Sequence, residues 1–398
     1  MKQVSRIFIL LSVITATIFT SCKKDGDGVN LTDVTIELVN PEGLVSVKLT
    51  SATLSFKETN TSTVYNIPNV KTQTVPVSVA VGSYDISVEG EITYELNGEV
   101  LTTNVRGIKQ SQVVVDATGK IEIQLYVYNE KADFVIKEVF FTGTVTPEGK
   151  TYNGDKYVII HNNSDKVLYA DGLAFAESDF LTTTKREYFP DVMSEAVTSR
   201  FIVVVPGTGT QYPIQPGKSF TIANNAINHL EANANSVDLR NAEFEIDLIP
   251  TINVDNPQVP NTINVSDYLT MHNRGFKAYV LTRLNKTVDV FKTENLYKNY
   301  YVNSAGNNTY TDSYKLPNAQ ILDAVNLSVQ ASYEWNVTSP SLDMGWSYCG
   351  KLASDATRYG KAVIRKTLST TPDGRVILQD TNNSTNDFTP EAKPSLMK

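Results

Sequence analysis

A period of two residues in the apolar positions constrains the fold of this chain more than any other feature of its sequence. In several runs between residues 33 and 128, apolar side chains occur at every second position. Successive side chains of a β-strand point to opposite faces of the sheet, so this period is typical of strands with one buried face and one face in water. The clearest runs are Val34, Ile36 and Leu38, then Val75, Val77, Val79 and Val81, then Tyr84, Ile86 and Val88, and finally Ile121, Ile123, Leu125 and Val127.

Turn signals separate these runs at the intervals expected of a β-sandwich. They are Asn40-Pro41, Asn97-Gly98 and Thr118-Gly119. A second region begins near Asp133, after a polar stretch at residues 130–133. The sequence therefore predicts an all-β protein with two β-sandwich domains, at residues 33–129 and 133–390, and the short linker places them nearly in contact.

The N-terminus has the pattern of an export signal. Lys2 and Arg6 give a cationic start, residues 7–19 are apolar, and small residues precede the cysteine in Thr20-Ser21-Cys22. An apolar stretch of this length is too short to span a bilayer comfortably. The segment resembles a bacterial lipoprotein signal, which implies that residues 1–21 are removed and that Cys22 is acylated. The alternative is an ordinary secretory signal with an incidental cysteine.

Residues 22–32 predict a flexible tether, because residues 23–28 offer no apolar side chain to bury. The Lys- and Asp-rich run behind the cysteine also resembles the signal by which Bacteroidota carry lipoproteins to the cell surface. We therefore expect a protein held in the outer membrane by lipid and facing the cell exterior.

Composition narrows the choice of partners. The formal net charge is −8 at pH 7 and no long basic run occurs, whereas nucleic acids and anionic bilayer surfaces attract clustered Lys and Arg. We therefore expect no nucleic-acid partner. Cys22 and Cys349 are the two cysteines, so acylation of Cys22 leaves no intramolecular disulfide and the fold must rest on packing.

Short segments resemble known β-sandwich families. Gly82-Ser83-Tyr84-Asp85-Ile86 looks like part of a prealbumin-type (carboxypeptidase-regulatory-like) sandwich, whose usual role is a stalk. Seven later pieces resemble, in order, the lamin-tail domain, which is an immunoglobulin-like sandwich. They are Ile136-Lys137-Glu138-Val139, residues 157–163, Asp171-Gly172-Leu173, Pro216-Gly217-Lys218 with Phe220-Thr221-Ile222-Ala223, Ile321-Leu322-Asp323-Ala324-Val325, Asp380-Thr381-Asn382-Asn383-Ser384, and Asp387-Phe388.

This chain departs from the lamin-tail pattern at two places, and we expect its specific function to lie in the longer of them. Ile159 stands where that family usually has Glu, and the stretch at about 225–315 is much longer than a minimal lamin tail needs. The whole arrangement resembles a family of Bacteroidota surface lipoproteins of unknown function, so the resemblance informs the fold more than the activity.

Motifs for catalysis are absent from the sequence. His161, His229 and His272 are isolated from one another, and neither a Gly-x-Ser-x-Gly elbow nor a Gly-rich phosphate loop occurs. An isolated Cys349 is typical of a small buried hydrophobic residue. Asp380, Asn382, Ser384 and Glu391 have the spacing of a calcium loop, but Thr385 stands where its sharp turn requires Gly. We predict no enzyme activity, no metal and no cofactor.

A cluster of tyrosines in the long stretch is the best candidate for a binding site. Its members are Tyr297, Tyr300, Tyr301, Tyr310 and Tyr314, among many Asn, Ser and Thr residues. Rings beside amides and hydroxyls suit a glycan or another amphipathic ligand. The alternative is that these rings close the ends of the sandwich while their hydroxyls reach water.

Two classes of function remain open at this point. In the first, the protein captures a ligand at the cell surface, as an accessory to an outer-membrane uptake transporter. In the second, both sandwiches serve as spacers and protein contacts of a structural or adhesive surface protein. A β-barrel receptor encoded beside this chain would favour capture, and fimbrial or secretion components would favour assembly.

The proposed anchor can be tested directly. Cys22→Ala should abolish labelling by a fatty-acid probe and release the protein from membranes, because no other thiol lies at the end of the signal. Metabolic labelling and membrane fractionation measure the two effects. Continued labelling of the variant would show that Cys22 is not the acylated residue.

Overall fold

The structure, a computed structural model, describes residues 31–41, 44–96, 99–116, 118–128, 133–247, 254–266 and 269–398. Strands contain 49% of the described residues and helices 6%, which confirms the predicted all-β class. No helix in these ranges is long and apolar enough to cross a membrane. Cys22, the rest of the predicted signal and most of the predicted tether lie outside the described residues, as do residues 129–132 at the predicted domain boundary.

Residues 31–128, which we name the N-terminal sandwich, form two facing sheets. Their strands are β1 (Leu31–Val39), β2 (Val45–Glu58), β3 (Val64–Val70), β4 (Thr74–Ala80), β5 (Gly82–Leu96), β6 (Glu99–Val114), β7 (Lys120–Gln124) and β8 (Tyr126–Tyr128). The sheet orders are β4-β1-β7 and β3-β2-β5-β6-β8. Strand β1 runs parallel to β7 and antiparallel to β4.

The period of two in the sequence produces the core between these sheets. Ile36, Ile86 and Ile123 are fully buried there, and removing such side chains from water is the main favourable term in folding. Val81 and Val127 end their runs on the surface, at 45% and 38% exposure. Val81 lies just past the end of β4, and Val127 is the middle residue of the three-residue strand β8. The pattern therefore identifies the core and extends it too far at the last residue of these two runs.

Residues 134–392, which we name the C-terminal sandwich, contain two larger sheets. The strands are β9 (Phe134–Phe140), β10 (Thr144–Val145), β11 (Thr151–Tyr152), β12 (Tyr157–Asn162), β13 (Leu168–Tyr169), β14 (Leu173–Ser178), β15 (Ala196–Val204), β16 (Pro213–Ile214), β17 (Ser219–Ala223), β18 (Phe244–Glu245), β19 (Ile263–Asn264), β20 (Ala278–Arg283), β21 (Leu296–Val302), β22 (Asn308–Pro317), β23 (Ile321–Ser328), β24 (Ser347–Tyr348), β25 (Ala362–Arg365), β26 (Thr367–Thr370), β27 (Val376–Leu378) and β28 (Phe388–Ala392). Two short α-helices, α1 (Val288–Asn295) and α2 (Ser384–Asp387), and 3₁₀ turns at His229–Glu231, Asn318–Gln320 and Ala356–Arg358 complete its described elements.

The six-stranded sheet has the order β18-β17-β12-β9-β25-β28, and the eight-stranded sheet has the order β21-β22-β15-β14-β20-β23-β24 with β19 beside β15. Their facing sides enclose a core that includes Phe134, Phe175 and Cys349. Burial raises the pKa of the Cys349 thiol to about 12, so this cysteine is protonated and behaves as an apolar side chain. Strand β20 lies inside the stretch at 225–315 and is internal to the larger sheet, so part of that stretch builds the core.

A buried ion network joins four elements of the C-terminal sandwich. The Arg365 guanidinium pairs with Asp323 of β23, and both side chains are 1% exposed. Its Nη1 also lies 3.5 Å from the carboxylate of Asp387 in α2, and its Nε donates to the Ile136 carbonyl of β9 at 2.8 Å. Burial raises the pKa of Asp323, and the guanidinium opposes that rise. Asp323, at the centre of the segment Ile321-Leu322-Asp323-Ala324-Val325, is thus a partner for a buried cation.

Removing that cation should destabilise the fold strongly. Arg365→Met leaves Asp323 and Asp387 buried without their cation, and a buried pair broken on one side typically loses about 3–5 kcal/mol. Arg240→Met is a matched control, because its ion pair with Asp238 is exposed and exposed ion pairs contribute little to stability. Urea unfolding of both variants measures the difference. Equal losses in the two variants would contradict a structural role for the network.

Candidate functional site

The candidate tyrosines lie on a β-hairpin at the edge of the eight-stranded sheet. Strands β21 and β22 pair antiparallel, with Tyr300 opposite Tyr310 and Leu296 opposite Tyr314. Strand β21 is the outermost strand of that sheet. Alternation along the strands divides the tyrosines. Tyr300, Tyr310 and Tyr314 share one side, which we name the outer face, and Tyr297 and Tyr301 share the other, the inner face.

Tyr297 on the inner face is part of the packing. Its hydroxyl lies 2.5 Å from the hydroxyl of Thr198 on β15, and Thr198 is 3% exposed. Burial raises the pKa of Tyr297 to about 12. The ammonium of Lys315 lies 5.1 Å from the ring centroid, which is within the range of a cation–π contact. This ring therefore holds the hairpin against the neighbouring strand.

Tyr301, also on the inner face, closes a second group of rings. It meets Tyr188 edge-on at 5.8 Å between centroids, and the Arg186 guanidinium lies 3.9 Å from the Tyr301 centroid. Tyr188 stacks in turn on Phe180 at 3.6 Å, and Trp335 stacks on Tyr188 at 6.5 Å. Phe180 and Tyr188 belong to the segment that joins β14 to β15, so Tyr301 packs the hairpin against that segment.

Tyr314, at the base of the outer face, is covered by helix α1. Its ring stacks on that of Phe291 with centroids 5.8 Å apart, and Phe291 is 1% exposed. The Thr287 side chain caps the helix by accepting from the Val290 amide, which fixes the helix start. Tyr314 is therefore half-buried and belongs to the packing of the hairpin.

The remaining part of the outer face carries three rings in contact, which we name the aromatic row: Phe189, Tyr300 and Tyr310. Phe189 and Tyr300 exchange two backbone hydrogen bonds, at 2.8 and 3.0 Å. Their ring centroids lie 5.4 Å apart, and those of Tyr300 and Tyr310 lie 5.2 Å apart. Phe189 is 42% and Tyr310 56% exposed. The row is therefore ordered by the backbone and open to solvent.

Polar groups border the row. The Asn308 amide donates to the Tyr310 hydroxyl at 3.1 Å, and Lys298 faces Asp312 across the hairpin with 3.6 Å between their charged atoms. Both members of this ion pair are more than half exposed. The outer face thus offers flat apolar rings together with hydroxyl, amide and charged groups.

The sequence predicts two of the three rings and does not indicate Phe189. Tyr300 and Tyr310 belong to the predicted cluster, whereas Phe189 lies far before it in the chain. Tyr188 and Phe189 are adjacent aromatic residues, which is the one signal in the sequence that could have indicated them. Nothing in their spacing connects them with the hairpin, because the contact depends on a bridge between separate segments.

The other residues considered from the sequence are distributed over separate places. His161, His229 and His272 are buried or half-buried, and burial lowers the pKa of each imidazole, to about 4 for His272. Of the residues with calcium-loop spacing, Asp380 contacts Arg365, Ser384 donates to Asp343, and Glu391 pairs with Lys361. Within the described ranges, no three His, Cys, Asp or Glu side chains are grouped to hold a metal.

A family match covers the part of the chain that carries the hairpin, and similar solved structures extend beyond it. Residues 215–395 match DUF4876, a family of proteins of unknown function. A crystal structure of a DUF4876 family protein from Bacteroides thetaiotaomicron is similar to this chain, with 23% identity, a TM-score of 0.56, and coverage of 91% of this chain and 96% of that chain. This likeness shows the fold. The hairpin lies within the matched residues, and Phe189 lies before them.

A second solved structure, of a candidate adhesin from Bacteroides ovatus, aligns with 9% identity and a TM-score of 0.21, over 75% of this chain and 88% of that chain. That likeness is too low to support an argument. No curated protein matches this chain.

The two faces of the hairpin predict different effects of truncation. Tyr297→Ala should lower the free energy of unfolding by about 3 kcal/mol, because it removes a packed ring and leaves Thr198 without its hydroxyl partner. Tyr310→Ala should change it by about 0.5 kcal/mol, as is usual for surface substitutions. Chemical unfolding of the two variants measures both values. If Tyr310→Ala is the more destabilising change, the row is part of the core.

Proposed function

We propose that this protein is a non-catalytic binding protein, anchored by lipid at Cys22 in the outer membrane and facing the cell exterior, whose ligand is received by the aromatic row. The observation that carries the proposal is the exposure of Phe189 and Tyr310 on either side of Tyr300. Tyrosines of the inner face are used in packing, so the exposed rings are not needed to close the sandwich.

The chemistry of the row favours an amphipathic ligand such as a glycan. Aromatic faces pack against the apolar C–H faces of such molecules, and hydroxyl and amide groups at the edge of the rings supply hydrogen bonds that fix orientation. Tyr310 and Asn308 provide these groups, already joined to each other. The Lys298–Asp312 pair adds donors and acceptors on the same face.

The backbone of the row supports binding by preorganisation. Phe189 and Tyr300 are held together by reciprocal hydrogen bonds, and a site whose groups are already ordered loses less conformational entropy when a ligand binds. A surface protein with such a site would suit a role as an accessory that delivers its ligand to an outer-membrane uptake transporter.

One observation favours the structural or adhesive function as the second candidate. Leu296 and Val302 lie on the same side of β21 as Tyr300 and are 50% and 55% exposed. They add exposed apolar side chains to the face that carries the rings, and exposed apolar surface is typical of contacts between proteins. In that case the outer face would contact another surface protein and would not capture a small ligand.

Binding measurements on single variants separate the two functions. Phe189→Ala, Tyr300→Ala and Tyr310→Ala should each weaken binding by about 1–3 kcal/mol if the row forms the centre of the site. Binding is measured by calorimetry against a panel of polysaccharides and siderophores. Tyr169→Ala is a matched control, because Tyr169 is 36% exposed on β13 and lies outside the row.

Three results are informative. Weaker binding with unchanged melting temperature supports capture by the row. Binding that survives all three substitutions overturns it. If the panel gives no binding to the parent protein and Leu296→Asp or Val302→Asp abolishes attachment of cells to one another or to a surface, the structural or adhesive function is the better one.

A further inference from the structure

Arg106 is a charged residue buried at the contact between the two sandwiches. It lies on β6 of the N-terminal sandwich, opposite Tyr126 of β8, and its exposure is 0%. Arginine is almost never fully buried unless its donors are satisfied. The positions of its hydrogen-bond partners therefore indicate why the Arg106 side chain is buried.

Three of those partners belong to the C-terminal sandwich. The Arg106 guanidinium donates through Nε to the Pro340 carbonyl at 3.1 Å and through Nη1 to the Thr381 carbonyl at 2.9 Å. Its Nη2 donates to the Ser341 carbonyl. A guanidinium presents its donors in a rigid plane, so three fixed acceptors determine its position and its orientation. We name these three carbonyls the arginine socket.

The first loop of the socket, at residues 339–345, is held by a buried carboxylate. Asp343 is 0% exposed and accepts from the Asn326 backbone amide of β23 at 2.9 Å. It also accepts from the Ser384 amide at 2.8 Å and the Ser384 hydroxyl at 2.6 Å. The loop that carries the Pro340 and Ser341 carbonyls is thus fixed to the sheet and to the second loop.

The second loop, at residues 380–383, is held by Asp387. That carboxylate accepts from the Thr381 amide at 2.9 Å and from the Thr381 hydroxyl at 2.7 Å. Asp387 in turn lies beside Arg365 of the buried ion network. The Thr381 carbonyl is therefore fixed by the core of the C-terminal sandwich, and the socket is formed by groups that do not depend on Arg106 for their position.

We propose that Arg106 and the arginine socket lock the two sandwiches into one rigid unit, so that the hairpin keeps a fixed orientation relative to the N-terminal sandwich. Domains in one chain usually move relative to each other unless the contact between them is large and apolar. Here a rotation of either sandwich would break three hydrogen bonds to one buried cation at once. This inference concerns the contact between the two sandwiches and does not depend on whether the aromatic row binds a ligand.

A distance measurement between the sandwiches tests the lock. Spin labels are attached to cysteines introduced by Lys57→Cys and Lys218→Cys, both at exposed positions, in the full chain carrying Cys22→Ala. Cys349 is buried and protonated, so it should not take up label. Pulsed dipolar spectroscopy should give one narrow distance distribution for this parent protein.

Substitution of Arg106 should broaden that distribution. Arg106→Met keeps the apolar stem and removes every donor, and Arg106→Lys keeps the charge and loses the planar fork. We expect a severalfold wider distribution for Arg106→Met and an intermediate width for Arg106→Lys. Lys109→Ala, an exposed position on the same strand, is the matched control and should leave the distribution unchanged.

Circular dichroism confirms that each variant is folded, and Arg106→Lys serves as the test if Arg106→Met does not fold. A distribution as narrow as the parent's in a folded Arg106 variant would overturn the lock. A broad distribution in the parent itself would overturn it as well, because the sandwiches would then move with Arg106 in place.

Discussion

Each strand of this protein has two faces, and at least one of them must leave water for its sheet to be stable. In the N-terminal sandwich aliphatic side chains such as Ile36 and Ile86 meet this requirement. In the C-terminal sandwich both faces of β9 and β12 are largely covered, so polar groups are enclosed along with apolar ones. The Arg365 network and the hydrogen bonds of Asp343 exist because enclosed charges without partners would destabilise the fold.

The same rule of two faces accounts for the exposed rings of the hairpin. A hairpin at the edge of a sheet needs one packed face to remain ordered. Here Tyr297 packs against Thr198, and Tyr301 packs against Tyr188. Once this side is anchored, the opposite side is free to present rings to water. The bridge from Phe189 to β21 also occupies part of the outer edge of the sheet, where unpaired backbone groups would otherwise invite association with another chain.

The arginine socket connects these local features with the whole molecule. The loops that form it are held by Asp343 and Asp387, and Asp387 belongs to the Arg365 network, which also contacts β9 and β23. The same buried carboxylates that stabilise the C-terminal sandwich thus also fix the loops that contact Arg106 of the N-terminal sandwich. Under the proposed function, this rigid contact would hold the aromatic row in a fixed position relative to the lipid-anchored end.

The sequence by itself determined the all-β class, the core of the N-terminal sandwich and the segment that carries the tyrosines, because a period of two residues is a local property of the strand. Tertiary structure alone decided which rings face water. It placed Tyr300 and Tyr310 outward, turned Tyr301 inward and added Phe189 from a distant part of the chain. It also gave Arg106 its partners, because a contact between residues far apart in sequence depends on how complete sheets assemble and leaves no trace in local spacing.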